Sequence, residues 1–250
     1  MQVLKEKSVY GLIGKNIEYS FSRNYFNQRF QREELSSHQY VNFDINEISS
    51  CAKVFDTAHL KGCNVTVPYK QQIIPFLDEL DEGAEKIGAV NCIDFKNGRK
   101  IGYNTDVYGF QKSLEKQLFN NDKRALILGT GGASLAVGYC LEKMGIKYKK
   151  VSRTSKTGVI TYENLSEEDV TDTEIIINCT PLGTSPNINS KPPIPYQAVS
   201  KKHYLFDLVY NPELSSFLNE GKTKEARFKN GYEMLILQAE RSWEIWNNNR

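Results

Sequence analysis

Histidine and cysteine are scarce in this chain, three and five of 250 residues. The cysteines (Cys51, Cys63, Cys92, Cys140, Cys179) lie 12 to 48 residues apart, without a Cys-x-x-Cys pair or a histidine at ligand spacing. That pattern excludes a disulfide framework and a zinc cluster, predicts reduced and mostly buried thiols in a cytoplasmic protein, and leaves no metal expected. An excess of one charge sign is also missing. Thirty-two Lys plus Arg against 30 Asp plus Glu leave a formal charge of +2, too little for sequence-independent attraction to nucleic acid, so any anion site must be local. Long apolar runs are absent too. The longest uncharged run, Ala125 to Leu141, has 17 residues and is interrupted by Gly-Thr-Gly-Gly, short of the roughly 20 that a membrane span needs. Residues 1–14 hold only a short apolar stretch and no small-residue cleavage site, so neither a membrane segment nor a signal peptide is expected.

What is present is the composition of a foldable protein, 40% apolar, 11% aromatic and 25% charged. Its length allows one large domain or two of about 100–150 residues. The first part reads βαβαβ, with strands at Ser8–Ile13, Gln39–Phe43 and Cys63–Val67 and helices near Phe21–Leu35 and Glu47–His59. A helical stretch near Tyr69–Ile87, interrupted by Pro75, comes next, then a hairpin turning at Asn97-Gly98. A helix starts at Asp106, where an acid suits the N-terminus. The alternation then restarts: strand Arg124–Leu128, helix Ala133–Met144, and strands Lys147–Val151, Glu174–Cys179 and His203–Val209. A short helix at Glu213–Glu220, a strand near Ala226–Phe228 and an amphipathic helix from Tyr232 to Trp246 complete the chain. Residues 185–195, rich in proline, read as a surface loop. Two α/β patterns meeting near Asp106 predict two domains with a cleft between them.

Leu126-Ile127-Leu128 runs into Gly129-Thr130-Gly131-Gly132-Ala133-Ser134, a strand ending in a glycine turn that opens a helix. This is the context of a dinucleotide site, where glycines let the backbone approach a pyrophosphate at the positive end of a helix. Ser134 stands where Gly or Ala is usual, and the same turn also occurs as a purely structural connection. The next strand ends in Ser152-Arg153-Thr154 with Lys156 nearby, and no acid stands at its tip to bind a ribose hydroxyl. A guanidinium there suits a 2′-phosphate and favours NADP, whereas Lys147, Lys149 and Lys150 leave open a merely solvated basic edge.

Polar residues also gather where strands end and helices begin: Ser20-Phe21-Ser22, Asn64 to Lys70, and Asn104-Thr105-Asp106. Each has a plain explanation as a cap or a strand terminator. Taken in order with GLIG at 11–14, GAVN at 88–91, GTGGAS at 129–134, SRT at 152–154, NCTPLG at 178–183, FDLVYNP at 206–212 and NGYEMLILQA at 230–239, they resemble the shikimate dehydrogenase family over nearly the whole chain. The resemblance implies an α/β fold of two domains. Residues 1–105 would form an open α/β substrate domain, completed by the helix 232–250, and residues 106–231 a Rossmann-like NADP-binding domain. It implies reversible reduction of 3-dehydroshikimate to shikimate with NADP(H), in the route to chorismate and the aromatic amino acids. Lys70 and Asp106 are implied as catalytic residues, Ser20 and Ser22 as ligands of the substrate carboxylate, and Thr66, Asn91, Tyr210 and Gln238 as further substrate contacts. Gly129, Thr130, Gly131, Gly132, Ala133, Ser152, Arg153, Thr154, Leu208 and Gly231 match cofactor contacts. The chain departs from the family pattern at Asn16 and Arg23 (usually Pro), Tyr19 (usually His) and Ser152 (usually Asn). A second arginine after Arg153 is replaced by Thr157, with Lys156 one position early. Other readings are a dehydrogenase that accepts quinate as well as shikimate and uses NAD, a catalytically silent shikimate-binding relative, and a tetrahydrofolate-type dehydrogenase of similar plan. A small-molecule substrate and a monomer or homodimer are expected.

Overall fold

The structure is a computed structural model that describes residues 7–18 and 20–248. The sequence readings of residues 1–6 and of Tyr19 fall outside the described residues. By its internal contacts the chain forms two compact units, one of residues 1–105 with 239–250, the other of residues 106–238.

The first unit contains β1 (Ser8–Gly14), α1 (Phe21–Arg32), β2 (His38–Asp44), α2 (Cys51–Phe55), β3 (Leu60–Val65), β4 (Glu79–Leu80), α3 (Glu82–Ile87), β5 (Cys92–Lys96) and β6 (Arg99–Tyr103). They form a six-stranded sheet in the order β2-β1-β3-β5-β6-β4. β1 pairs in parallel with both β2 and β3, while β5 is antiparallel to β3 and to β6. β1 is buried along nearly its whole length, as expected for a strand covered on both faces. Val9, Ile13, Cys63 and Val65 enter one apolar layer and Tyr10, Leu12 and Tyr40 the other. The Asn97-Gly98 turn has positive φ at both residues (52° and 73°), the conformation that a two-residue hairpin requires.

Three sequence readings are corrected in this unit. α1 stops at Arg32, because Glu33 caps it and Glu34 turns to φ 57°. The helix expected over Glu47–His59 is a 3-10 turn, Ile48–Ser50, followed by the five residues of α2. No continuous helix covers 69–87. A 3-10 turn at Ile74–Phe76 leads into β4, which pairs with β6, and only Glu82–Ile87 is α-helical. There the backbone bonds go sideways, Asp78 N to Lys100 O and Asp81 N to Gly102 O, each 2.9 Å, because Pro75 cannot donate within a helix. Asp81 then caps α3 through Ala84 N and Gly83 N, and Gly88 ends it at φ 69°.

The second unit contains α4 (Asp106–Glu115), β7 (Arg124–Leu128), α5 (Gly132–Lys143), β8 (Lys147–Ser152), β9 (Val159–Thr161), α6 (Glu167–Thr171), β10 (Ile175–Asn178), β11 (Tyr204–Asp207), α7 (Ser216–Thr223) and β12 (Arg227–Lys229). Its sheet is parallel throughout, in the order β12-β11-β10-β7-β8-β9. That is the doubly wound dinucleotide-binding order, with its topological switch between β7 and β10. Successive residues feed opposite layers: Ala125, Ile127, Ile175 and Ile177 on one face, Leu126, Leu128 and Ile176 on the other. The sequence reading missed β9 and α6. β9 has three half-buried residues and no strong pattern, whereas the Ser166/Asp169 capping box that starts α6 was a readable signal. α7 begins three residues later than expected because Ser215 is its cap, accepting from Leu218 N.

The last helix, α8 (Tyr232–Asn248), is divided between the units after Gln238. The sequence reading assigned all of it to the first domain. Its start belongs to the second unit because Met234 packs in that core and its carbonyl would lie 2.5 Å from a Cβ on Gly109. Its end belongs to the first, where fully buried Trp246 donates from Nε1 to the Ile93 carbonyl (3.0 Å) and lies against Gly62. Among the described residues no helix is long and apolar enough to cross a membrane.

Candidate active site

In the first unit the candidate residues surround the C-terminal ends of β1 and β3, where an open sheet leaves a crevice beyond its parallel strands. Ser20 caps α1, its Oγ accepting from Arg23 N at 3.4 Å. That bond exists because residue 23 is not proline, and it leaves the Ser20 proton available for donation. Asn16, the other non-proline departure, has φ 56° and donates its N–H to Asp44 Oδ1 (2.9 Å), neither of which proline allows. Thr66 continues β3, its N–H on the Ile13 carbonyl (2.9 Å), and its methyl would be 2.6 Å from a Cβ on Gly14, so this close strand approach requires glycine. The Lys70 carbonyl accepts from Val90 N (2.7 Å), which draws the lysine segment beside Asn91. Asn91 is buried and locked to Thr105, accepting its N–H at 2.7 Å and donating to its Oγ1 at 3.0 Å.

The sequence reading left out the polar chain beneath these residues. Ser22 is buried and pairs with the Tyr40 phenol, which donates to Asn64 Oδ1 (2.8 Å). Asn64 Nδ2 in turn donates to the Asn91 carbonyl (3.1 Å) and to Ser242 Oγ (2.9 Å). Asn64 and Thr105 stand inside motifs already noted, whereas Tyr40 and Ser242 carry no signal beyond strand and helix periodicity.

In the second unit Asp106 is the first residue of α4 and is buried. One turn later Gly109 meets α8, where a Cβ would lie 2.5 Å from Met234 O and 3.1 Å from Gln238 Cβ. Asp106 and Gln238 therefore lie on adjoining turns of two touching helices. The glycine turn is at the switch point. Gly129 has φ 112°, where L side chains are strained, and a Cβ there would lie 3.2–3.3 Å from Thr180 and Cys179. Gly131 is the N-cap of α5, without a side-chain cap, and a Cβ there would meet nothing within 4 Å. An uncapped helix start facing open space suits a pyrophosphate between Thr130 and Ala133. Ser134, buried, donates its hydroxyl to the Gly131 carbonyl (2.6 Å), so the serine substitution braces the turn.

At the end of β8, Ser152 Oγ accepts from Thr154 N (3.3 Å), a side-chain turn that an asparagine would make in the same way. Arg153 and Lys156 are exposed there. Leu208 and Gly231 are brought together, since a Cβ on Gly231 would lie 2.3 Å from the Leu208 carbonyl, and Gly231 N donates to Val209 O (3.1 Å). Tyr210 is half-buried, and burial raises its phenol pKa above the ordinary value. Burial likewise pushes the Cys179 thiol up, so it is not a reactive thiolate.

Three buried side chains not singled out individually from the sequence connect these loops. Asp207, wholly buried, accepts from Asn178 Nδ2 (2.9 Å), Val209 N (3.0 Å) and the Ser215 hydroxyl. Desolvation raises its carboxyl from an ordinary 3.8 to about 6. Asp207 and Asn178 stand in the motifs at 206–212 and 178–183, and Ser215 has only cap chemistry to mark it.

The family described as the shikimate dehydrogenase substrate binding domain matches residues 12–93. The Shikimate dehydrogenase (NADP(+)) of Methanosphaera stadtmanae is 38% identical, over 94% of this chain and 90% of that protein. The crystal structure of shikimate dehydrogenase from Aquifex aeolicus superposes with a TM-score of 0.87 at 33% identity, covering 99% of this chain and 95% of the other. A shikimate dehydrogenase in complex with NADP+ gives a TM-score of 0.84 at 34% identity, covering 97% and 90%.

Proposed function

The chain belongs to the shikimate dehydrogenase family, and from that premise we propose that it reversibly reduces 3-dehydroshikimate to shikimate with NADPH, a step toward chorismate and the aromatic amino acids. The observation that carries the reading is the glycine turn at the switch point of the second unit's sheet, where Gly131 leaves room for a pyrophosphate at the uncapped start of α5. NADP(H) is the cofactor. Gly129 to Ala133 would hold its pyrophosphate, Ser152 to Thr154 its 2′-phosphate, and Leu208 and Gly231 its remaining length. When bound, it supplies the hydride.

The residue roles form part of the same proposal. Residues 1–105 with the end of α8 form the substrate half and residues 106–231 the dinucleotide half. Ser20 and Ser22 donate to the substrate carboxylate, and Thr66, Asn91, Tyr210 and Gln238 orient the ring. Asp106 accepts a hydrogen bond from a ring hydroxyl. As the ketone carbon becomes tetrahedral its oxygen gains negative charge, and Lys70 delivers a proton to it; in the oxidative direction the lysine takes that proton back. A positioned proton donor of this kind lowers the barrier by a factor of roughly 10²–10⁴. Cytoplasmic placement and a monomer or homodimer complete the reading, the first supported by five free cysteines.

The test is an absorbance assay of the reduced nicotinamide with shikimate or quinate, each crossed with NADP+ or NAD+. The largest kcat/KM is expected for shikimate with NADP+. No turnover of shikimate with either cofactor would overturn the reading.

A further inference from the structure

Asp207 lies at the end of β11, and each of its bonds reaches a different segment. Through Asn178 Nδ2 it holds the end of β10. Asn178 Oδ1 in turn accepts from Thr180 N (3.0 Å) and Thr180 Oγ1 (2.6 Å), and Thr180 Oγ1 accepts from Leu182 N (3.3 Å). This folds residues 178–182 against Gly129, to which Cys179 and Thr180 are the nearest neighbours. Through Val209 N, Asp207 shapes the turn that carries Leu208, and the Val209 carbonyl receives Gly231 N. Leu208 N is bonded to the Asn178 carbonyl (3.0 Å), which closes the ring of contacts. Through the Ser215 hydroxyl, Asp207 also reaches the cap of α7.

Asp207 is wholly buried and itself touches none of the surface that a dinucleotide would reach. Three accepted hydrogen bonds are what make a buried carboxylate tolerable, and the three donors would each be left wanting without it. A carboxylate with this set of partners is a clamp on loops, not a ligand.

We propose that Asp207 is a positioning residue for the cofactor: it fixes the turn at 207–209 against the turn at 178–182, and so sets Leu208 and Gly231 relative to the glycine turn at Gly129. The proposal rests on the dehydrogenase reading and adds to it a residue that acts only through others. Asparagine can replace the carboxylate, because its Oδ1 can accept from Asn178 and Val209 while its Nδ2 donates to Ser215 Oγ. Alanine cannot.

The experiment is a fluorescence titration of bound NADPH with wild type, Asp207→Ala, Asp207→Asn and Ser215→Ala, with steady-state kinetics and thermal melting on each. Asp207→Ala is expected to weaken NADPH binding by about tenfold or more, roughly what loss of one or two well-made hydrogen bonds allows. It should raise the KM for NADPH more than it lowers kcat, and Asp207→Asn should restore binding to within about threefold. Ser215→Ala, which removes the cap bond and the hydroxyl donated to Asp207 Oδ2 but neither bond to Oδ1, should melt earlier yet bind NADPH normally. If Asp207→Ala does not fold, Thr180→Val releases the 178–182 turn at a half-buried position with little change of volume, and it should weaken binding several-fold. Normal NADPH affinity in Asp207→Ala, or in Thr180→Val where alanine fails to fold, overturns the positioning role. So does loss of binding in Asp207→Asn as severe as in alanine. A wild-type protein that binds no NADPH would instead overturn the dehydrogenase reading itself.

Discussion

Replacing Asp207 with asparagine should change the pH dependence of stability in a defined direction. The folded carboxyl titrates at about 6, raised by desolvation from an ordinary 3.8. Between those values the unfolded chain releases the proton while the folded chain keeps it, so the folded state binds more protons and stability falls as pH rises. Below pH about 4 the group contributes no penalty, and above about 6 the full penalty is present. A shift of about two pH units corresponds to a ceiling of about 3 kcal/mol. Asparagine resembles the protonated carboxyl and does not titrate. The variant should match wild type near pH 4 within about 1 kcal/mol and exceed it by about 1–3 kcal/mol at pH 7.5. Urea denaturation followed by far-ultraviolet circular dichroism at a series of pH values is the assay. Both tryptophans, Trp243 and Trp246, lie in the first unit, so their fluorescence would report the wrong half. The relevant quantity is the difference between variant and wild type, in which carboxylates held low by ion pairs, such as Glu174 and Asp169, cancel. A difference that does not change with pH, or one that moves in favour of wild type as pH rises, would refute the reasoning.

Lys70→Ala should lose at least about 100-fold in kcat while NADP+ still binds, as measured by single-turnover kinetics and cofactor titration, because the lysine is assigned to proton transfer. Gly131→Ala should melt within a few degrees of wild type, since φ is −80° and a Cβ meets nothing within 4 Å, yet lose NADP+ affinity because the methyl occupies the pyrophosphate's space; unchanged affinity would move the cofactor elsewhere. Arg153→Asp should lower the ratio of kcat/KM for NADP+ over NAD+, with the loss for NADP+ larger than the gain for NAD+ because Lys156 remains exposed nearby. A ratio that does not move would remove Arg153 from the 2′-phosphate site.

Much of the second unit was legible because its signals are local. Arg124–Leu128 coincides with β7, since a run of apolar residues ending in Gly-Thr-Gly-Gly can be little else than a buried parallel strand entering a helix. The first unit misled wherever local pattern and tertiary pairing disagreed. Residues 69–81 have helical spacing, but Pro75 removes a donor and the nearby edge of β6 offers its carbonyls, so the segment becomes turns and a two-residue strand. The candidate residues were found by their motifs, yet what holds them was not. Asn64 meets Ser242 across 178 positions and Asn178 meets Asp207 across 29.

Sequence by itself therefore determined the strand and helix alternation, the glycine turn, the basic tip after β8 and the family, because each is written in neighbouring residues whose side chains and backbone freedom act within a few positions. Tertiary structure alone decided that Ser134 braces the glycine turn, that α8 is divided after Gln238, and that a buried carboxylate at 207 gathers loops from three segments. Those outcomes depend on which donors and acceptors meet once water is gone, and a buried polar group selects its partner by distance in space, to which separation along the chain is no guide.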